Sequence, residues 1–348
     1  MIDSFENVLI IKLKHLGDVL TTTPLIFSIK QAWPAAKVSY LINPGGEDLV
    51  RYHPDVSEVF AWPRHEGWIS QTELIFRMRR RRFDLVLELS GGDRGAFLAW
   101  TTGARVRVGY APRTRSKIDR RRLFTHLVTT VPETKHTVEY HLDTLRVLGK
   151  DPGMPLMSLF WPTEAEVRVN QLLSASGVDS GAGYVVVHPT SRWMFKAWRP
   201  EANAAVIDYL VKELGWTVVI TSAPDPQELE FVDQVMARTM AKPVNLAGRL
   251  SLTELAALIS GAKLFFGVDS LPMHMAAAVQ TKAIALFGPS GNHMWGPWGP
   301  QHRVIAKDWP CRPCGQDGCN RTKVSRCLVE IEPEEVFPAL AEALALDS

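Results

Sequence analysis

Two series of alternating strand and helix signals, separated by a proline-rich break, constrain this chain more than any other feature. Residues 8–13 (VLIIKL), 37–42, 56–60, 83–89 (FDLVLEL) and 106–109 are short, nearly continuous apolar runs. Such runs are expected of parallel strands buried on both faces. Helical spacing lies between or after them at 23–33, 72–82 and 136–148. The break comes at residues 151–155 (DPGMP) and at Trp161-Pro162. The alternation then restarts, with strands at 184–188 (YVVVH), 216–221, 263–268 and 282–287 and helices at 200–214, 226–240, 252–259, 270–279 and 333–346. This pattern predicts an α/β chain of two doubly wound parallel sheets with a cleft between them.

A length of 348 residues fits two domains. A hydrophobic fraction of 46% excludes a disordered chain, and no apolar run approaches the length of a membrane span. Acidic residues precede the first apolar stretch, so the start does not read as a secretory signal. All four cysteines fall between 311 and 327, which is no distributed disulfide framework, and the expectation is a cytoplasmic protein. The net charge of +2 hides a split. Residues 1–150 carry 23 Lys and Arg against 16 Asp and Glu, whereas the remainder carries 16 against 21.

Ligands of doubly wound sheets bind beyond the carboxyl ends of strands, which selects four loops. In the first, residues 12–18 (KLKHLGD), Gly17 permits a tight turn and Asp18 stands near a helix start. Asp18 is there either a helix cap or a general base. No G-x-G-x-x-G follows this strand, which counts against a dehydrogenase. In the second, residues 188–198 (HPTSRWMFKAW), Thr190, Ser191, Arg192 and Lys196 either bind phosphate or decorate a solvated loop. In the third, residues 266–274, Asp269 and Ser270 are caps or part of an anion site. The Ser270 and Leu271 N–H groups would serve such a site, and His274 is by default a satisfied helix histidine. In the fourth, residues 221–228, an acidic side chain either accepts ribose hydroxyls or caps the next helix.

Cys311, Cys314, Cys319 and Cys327 have a spacing that permits a tetrahedral zinc site, and equally suits free thiols in an ordered loop. Two basic runs, at 77–82 and 113–122, are a solvated face or a surface for an acidic partner such as a phosphorylated sugar or an anionic lipid surface. Neither run interleaves aromatic residues, so nucleic acid is not expected as a partner.

Four segments taken together, IKLKHLGDVLTTTPLI, DLVLELSGGDRGAF, HPTSRWMFKAW and FGVDSLPMHMAAA, resemble the lipopolysaccharide core heptosyltransferases of glycosyltransferase family 9, most similarly type III. The resemblance runs through nearly the whole chain in order. It implies a GT-B fold of two Rossmann-like domains: residues 1–160 for the acceptor and 161–330 for the donor. Residues 331–348 would form a C-terminal helix crossing back to the first domain. It implies an inverting transfer of L-glycero-D-manno-heptose from ADP-heptose to an inner-core heptose on lipid A, at the cytoplasmic face of an anionic inner membrane, with no required cofactor or metal. Asp18 matches the family's general base. Lys196 matches the lysine that stabilises the leaving ADP, and Thr190 and Ser191 match its phosphate-contacting hydroxyls. Asp269, Ser270, Leu271 and His274 match the rest of the diphosphate site. Leu250 would lie near adenine, Ser222 would belong to the ADP site, and either Asp225 or Glu228 would serve the ribose. Lys12, Lys14, Gly17, Gly91, Gly92, Arg94, Arg113 and Arg120 would meet the acceptor. Three other readings keep some of these residues: a type I or II enzyme, a transferase using another nucleotide-sugar, and a non-catalytic binder of nucleotide or anionic lipid.

Overall fold

The computed structural model describes residues 4–63, 66–113, 118–178 and 183–345. The chain divides into two compact units, Met1–Phe160 and Trp161–Ser348. Residues 114–117 of the second basic run lie outside the described residues.

The first unit contains β1 (Asn7–Lys12), α1 (Leu16–Leu20), α2 (Pro24–Ala32), β2 (Lys37–Ile42), β3 (Val56–Ala61), α3 (Trp68–Arg80), β4 (Leu85–Glu88), α4 (Asp93–Thr101), β5 (Val106–Tyr110), β6 (His126–Val128) and α5 (Thr137–Arg146). Its six strands pair in the order β3-β2-β1-β4-β5-β6, all parallel. Val8, Leu9, Ile10 and Ile11 are all fully buried, as a strand covered on both faces requires. Leu9, Ile11, Leu41, Phe60, Met78 and Val86 belong to one core cluster. The Pro-rich segment after α5 stays with this unit. Ser28 Oγ donates to the Pro152 carbonyl at 2.8 Å, and the Ser158 N–H donates to Thr23 Oγ1 at 3.1 Å.

The second unit contains α6 (Thr163–Ala175), β7 (Tyr184–His188), α7 (Pro200–Lys212), β8 (Thr217–Ile220), α8 (Pro226–Arg238), β9 (Val244–Asn245), α9 (Leu252–Ser260), β10 (Leu264–Val268), α10 (Leu271–Ala278), β11 (Ala283–Leu286), α11 (Asn292–Trp295), β12 (Arg303–Ile305), α12 (Arg326–Val329) and α13 (Pro333–Ala345). Its strand order is β12-β11-β10-β7-β8-β9, which repeats the first sheet's order when counted from β7. The C-terminal segment belongs to this unit. Val336, Leu340 and Leu344 join its core, Phe337 stacks on Tyr209 at 4.2 Å, and Trp198 Nε1 donates to the Ile331 carbonyl.

The central strands match the periodicity within a residue or two. The edge strands β6, β9 and β12 have only two or three residues and leave no periodic signal. The helices α1, α4 and α6 also differ from expectation, since the sequence reads as loop there. In α4 the reason is visible: Gly95 sits in the helix interior, where glycine is a poor helix former. A Cβ at that position would overlap the Glu88 carboxylate, so packing overrides propensity.

Candidate functional site

Sheets of this strand order reverse direction between their first and fourth strands, and ligands collect in the crevice outside the carboxyl ends there. The chain has two such switch points, β1/β4 and β7/β10.

At the first, a buried polar web joins residues from four elements. Lys12, the last residue of β1, is 3% exposed. Its Nζ donates to the Leu89 carbonyl at 3.1 Å and lies 3.1 Å from His141 Nε2 on α5. An ammonium can only donate, so Nε2 accepts and the imidazole proton on Nδ1 faces Tyr110 Oη, 2.5 Å away. Burial, reinforced by the Lys12 charge, holds the His141 pKa well below its ordinary value. Burial also lowers the Lys12 pKa to about 8, against the opposing pull of Asp18 and Glu88. Glu88, at the end of β4 and 1% exposed, accepts the backbone N–H groups of Ser90 at 2.8 Å and Gly91 at 3.1 Å. Burial raises its pKa, and those two hydrogen bonds oppose the rise.

This web holds the loop Ser90–Gly92 from beneath. Ser90 Oγ accepts the Leu13 N–H at 2.7 Å, which ties the β4 loop to the β1 loop. Arg120 donates to the Gly91 carbonyl and lies 3.3 Å from the Asp93 carboxylate. Gly91 has φ +68°, a conformation that favours glycine. Lys12 and Arg120, both expected to meet the acceptor, are buried and support this loop from the protein side. Arg94 and Lys14 are exposed, Gly92 is the N-cap of α4, and the exposed Arg113 pairs with Glu133 at 2.5 Å. The tight turn expected at Gly17 is corrected, because Gly17 lies inside α1.

Asp18 occupies the first turn of α1, whose N-cap is His15. It is therefore not the cap itself. The residue is half-buried, and its carboxylate accepts no hydrogen bond among the described residues. The three threonines that follow donate their hydroxyls back to the carbonyls of Asp18, Val19 and Leu20, which closes the turn into α2. The web contains Glu88, Tyr110 and His141, none of which sequence reasoning singled out. A glutamate ending a buried apolar strand was the available signal.

The second switch point brings together residues that are distant in sequence. Lys196 Nζ lies 2.6 Å from Asp269 Oδ2, across the carboxyl ends of the neighbouring strands β7 and β10. Lys196 ends a short 3-10 turn, and Asp269 directly follows β10. Ser270 is the N-cap of α10, but its hydroxyl turns back to the Val268 carbonyl. The Ser270 and Leu271 N–H groups donate to nothing among the described residues. His274 is buried one turn into α10. Gly267 lets β10 approach β7, since a Cβ there would come 2.7 Å from the His188 carbonyl oxygen.

The β7 loop is braced by Glu228. Thr190 is fully buried and donates to Glu228 Oε2 at 2.6 Å, which also accepts the Ala223 N–H at 3.3 Å. Ser191 is buried, with its Oγ 3.4 Å from the Trp193 N–H. Ser222 donates to the Ala223 carbonyl, and Leu250 lies partly exposed before α9. Asp225 is exposed and caps α8 by accepting the Gln227 N–H at 2.9 Å. The candidate donor residues thus share the carboxyl edge of β10, β7, β8 and β9.

The four cysteines are free thiols; Cys311 and Cys314 are exposed and Cys327 is buried. Among the described residues no group of three or more His, Cys, Asp or Glu is placed to hold a metal ion. The zinc alternative for these cysteines therefore gains no support. No helix among the described residues is long and apolar enough to cross a membrane.

Comparison with known proteins identifies the family and the fold. Residues 72–325 match the model of glycosyltransferase family 9 (heptosyltransferase). The chain is 35% identical over 288 residues to lipopolysaccharide heptosyltransferase 3 of Escherichia coli, covering 81% of this chain and 83% of that one. The structure of a family 9 glycosyl transferase from Veillonella parvula superposes with a TM-score of 0.85 at 24% identity, covering 100% of this chain and 99% of that one. The E. coli heptosyltransferase WaaC with ADP superposes with a TM-score of 0.73 at 20% identity, covering 97% and 99%. Two parallel six-stranded Rossmann-like sheets are the GT-B architecture of those structures, and the chain belongs to glycosyltransferase family 9, the heptosyltransferases.

Proposed function

We propose that this protein transfers L-glycero-D-manno-heptose from ADP-heptose to an inner-core heptose of lipopolysaccharide, as a type III enzyme, with inversion at the anomeric carbon. One observation carries the donor side. Lys196 and the uncommitted N–H groups of Ser270 and Leu271 lie at the carboxyl edge of two neighbouring strands. A cation beside a helix N-terminus suits a diphosphate. Asp269 orients the lysine at 2.6 Å.

In the reaction, the acceptor oxygen attacks C1 of the heptose while its proton passes to the Asp18 carboxylate. The bond from C1 to the ADP oxygen breaks, and ADP departs with its negative charge held by Lys196 and the α10 N–H groups. These groups supply the positive charge locally, so we assign no step to a resident metal. Glu228 or Asp225 serves the ribose. The acceptor is a lipid-linked oligosaccharide, which brings the enzyme to the anionic cytoplasmic face of the inner membrane. A thermal-shift series with ADP-heptose, ADP and UDP-sugars tests the donor. ADP-heptose and ADP are expected to raise Tm, as ligands that bind only the native state do. Stronger stabilisation by a UDP-sugar would refute the donor assignment.

A further inference from the structure

The helix α3 has two apolar faces, and folding uses one of them. Leu74 and Met78 point into the core of the first unit. On the opposite face Trp68, Ile69 and Phe76 are 76%, 66% and 61% exposed. Ile69, Phe76 and Arg80 are spaced by seven and four residues, which places them on one stripe, and Trp68 stands at its edge in the first turn. Phe97 and Trp100 of the neighbouring α4 are also exposed. An isolated exposed apolar side chain is ordinary, but aromatic side chains collected on one surface mark an interaction site.

The cations at the end of this helix are not equivalent. Arg77 and Arg81 both pair with Glu58, at 3.3 and 2.7 Å. Arg79, Arg80 and Arg82 are exposed and pair with no carboxylate among the described residues. An exposed aromatic and aliphatic stripe beside uncompensated arginines is the composition of a helix that lies in a membrane interface. There aromatic rings sit at headgroup depth and arginines meet anionic lipid. A second copy of the chain fits worse. A twofold interface would set this patch against itself and bring the three unpaired arginines of each copy together.

We infer that the outer face of α3, extended by Phe97 and Trp100, docks the enzyme on an anionic lipid surface. The inference deepens the proposed function by naming the surface that would bring the first unit to a lipid-linked acceptor, and it rests on that reading for its purpose. Its test does not depend on catalysis. The full chain is floated with phosphatidylcholine vesicles that contain or lack phosphatidylglycerol. The wild type should float only with the anionic vesicles, and its tryptophan emission should shift to the blue. Arg79→Gln/Arg80→Gln/Arg82→Gln should lower partitioning by about fivefold per arginine, or about two orders of magnitude in all. Trp68→Ser/Phe76→Ser should abolish the blue shift while keeping the wild-type Tm and transfer to a delipidated acceptor.

Failure of the wild type to float, or flotation of both variants like the wild type, overturns the docking surface. It is equally overturned if Trp68→Ser/Phe76→Ser turns a dimer into a monomer while vesicle binding stays unchanged, or if the patch binds single-stranded nucleic acid and not vesicles. A protein that floats as described but transfers no heptose refutes the proposed function alone. One that transfers heptose and does not float refutes the docking surface alone.

Discussion

The two switch points have the same strand order and opposite treatments of charge. At β1/β4, Lys12 and Glu88 are almost wholly buried and bind backbone groups of the loops above them. One carboxylate, Asp18, is left without a hydrogen bond among the described residues. At β7/β10 Asp269 is buried but Lys196 remains partly exposed, and each is the other's partner. Buried charges are costly unless paired and hydrogen-bonded, so those of the first unit form a fixed frame. The second unit keeps a charge that a diphosphate can share. Under the proposed function, the fixed frame lies on the acceptor side and the solvent-accessible lysine on the donor side.

The largest expected effect breaks the comparison on the first side. Asp18→Asn keeps the size of the side chain but cannot take the proton. It should lower kcat by about 10²–10⁴-fold while ADP affinity stays within about twofold. Single-turnover kinetics with calorimetric ADP titration checks both, and a residual rate near wild type would remove Asp18 from the base role. Lys196→Ala should cost about 10²–10³-fold in kcat, since it takes away charge stabilisation of the leaving group, and it should weaken ADP binding as well. A loss in kcat with unchanged ADP affinity would move Lys196 off the diphosphate.

Periodicity made the fold legible where strands are central and buried. The runs at 37–42 and 184–188 coincide with β2 and β7. It failed at edges of two or three residues and at α4, where Gly95 lowers helix propensity so that Glu88 fits beneath. The candidate donor residues could be named from their loops, but the Lys196–Asp269 contact could not be foreseen, because 73 residues separate the partners. The first unit's web was invisible for a different reason. Lys12 looks the same in sequence whether it faces solvent or the core, and only the sheet decides.

Gly95 gives the next effect, and its sign is informative. On an open helix surface Gly→Ala stabilises by about 1 kcal/mol. Here the new Cβ would overlap the buried Glu88 carboxylate, whose hydrogen bonds to Ser90 and Gly91 resist displacement. Gly95→Ala should therefore destabilise the protein by about 1–3 kcal/mol, measured by denaturant unfolding. A rise in stability would mean that the web is loose and not a frame.

Each unit buries a histidine whose pKa is lowered, and His188 tests the second unit's share of acid sensitivity. His188 is buried, with Nδ1 2.9 Å from Thr221 Oγ1, and burial lowers its pKa from 6.5 to about 3. The unfolded chain then binds a proton that the folded chain refuses. Its contribution to stability is complete above pH 6.5 and is lost as pH falls from 6.5 towards 3. The slope is about 1.4 kcal/mol per pH unit. His188→Asn should lower stability at pH 7 and flatten this slope. An unchanged slope would locate acid sensitivity elsewhere, for instance at His141.

The smallest effect sharpens the donor side by choosing between two carboxylates. Asp225 is an exposed cap, and Asp225→Ala should cost about 1 kcal/mol of stability with ADP affinity unchanged. Glu228 differs because only one of its oxygens is engaged. Oε2 holds Thr190 and Ala223, whereas Oε1 makes no hydrogen bond among the described residues and is available to a ribose hydroxyl. Glu228→Gln keeps an acceptor oxygen and the side-chain shape but removes the charge. A hydrogen bond to a charged group contributes about 1.5–3 kcal/mol, so ADP affinity should fall by about tenfold or more. Adenosine diphosphate lacking both ribose hydroxyls (the dideoxy form) should then bind wild type and Glu228→Gln alike. If Asp225→Ala instead shows the loss of ADP affinity, the exposed cap is the ribose ligand and Glu228 serves only to brace the β7 loop.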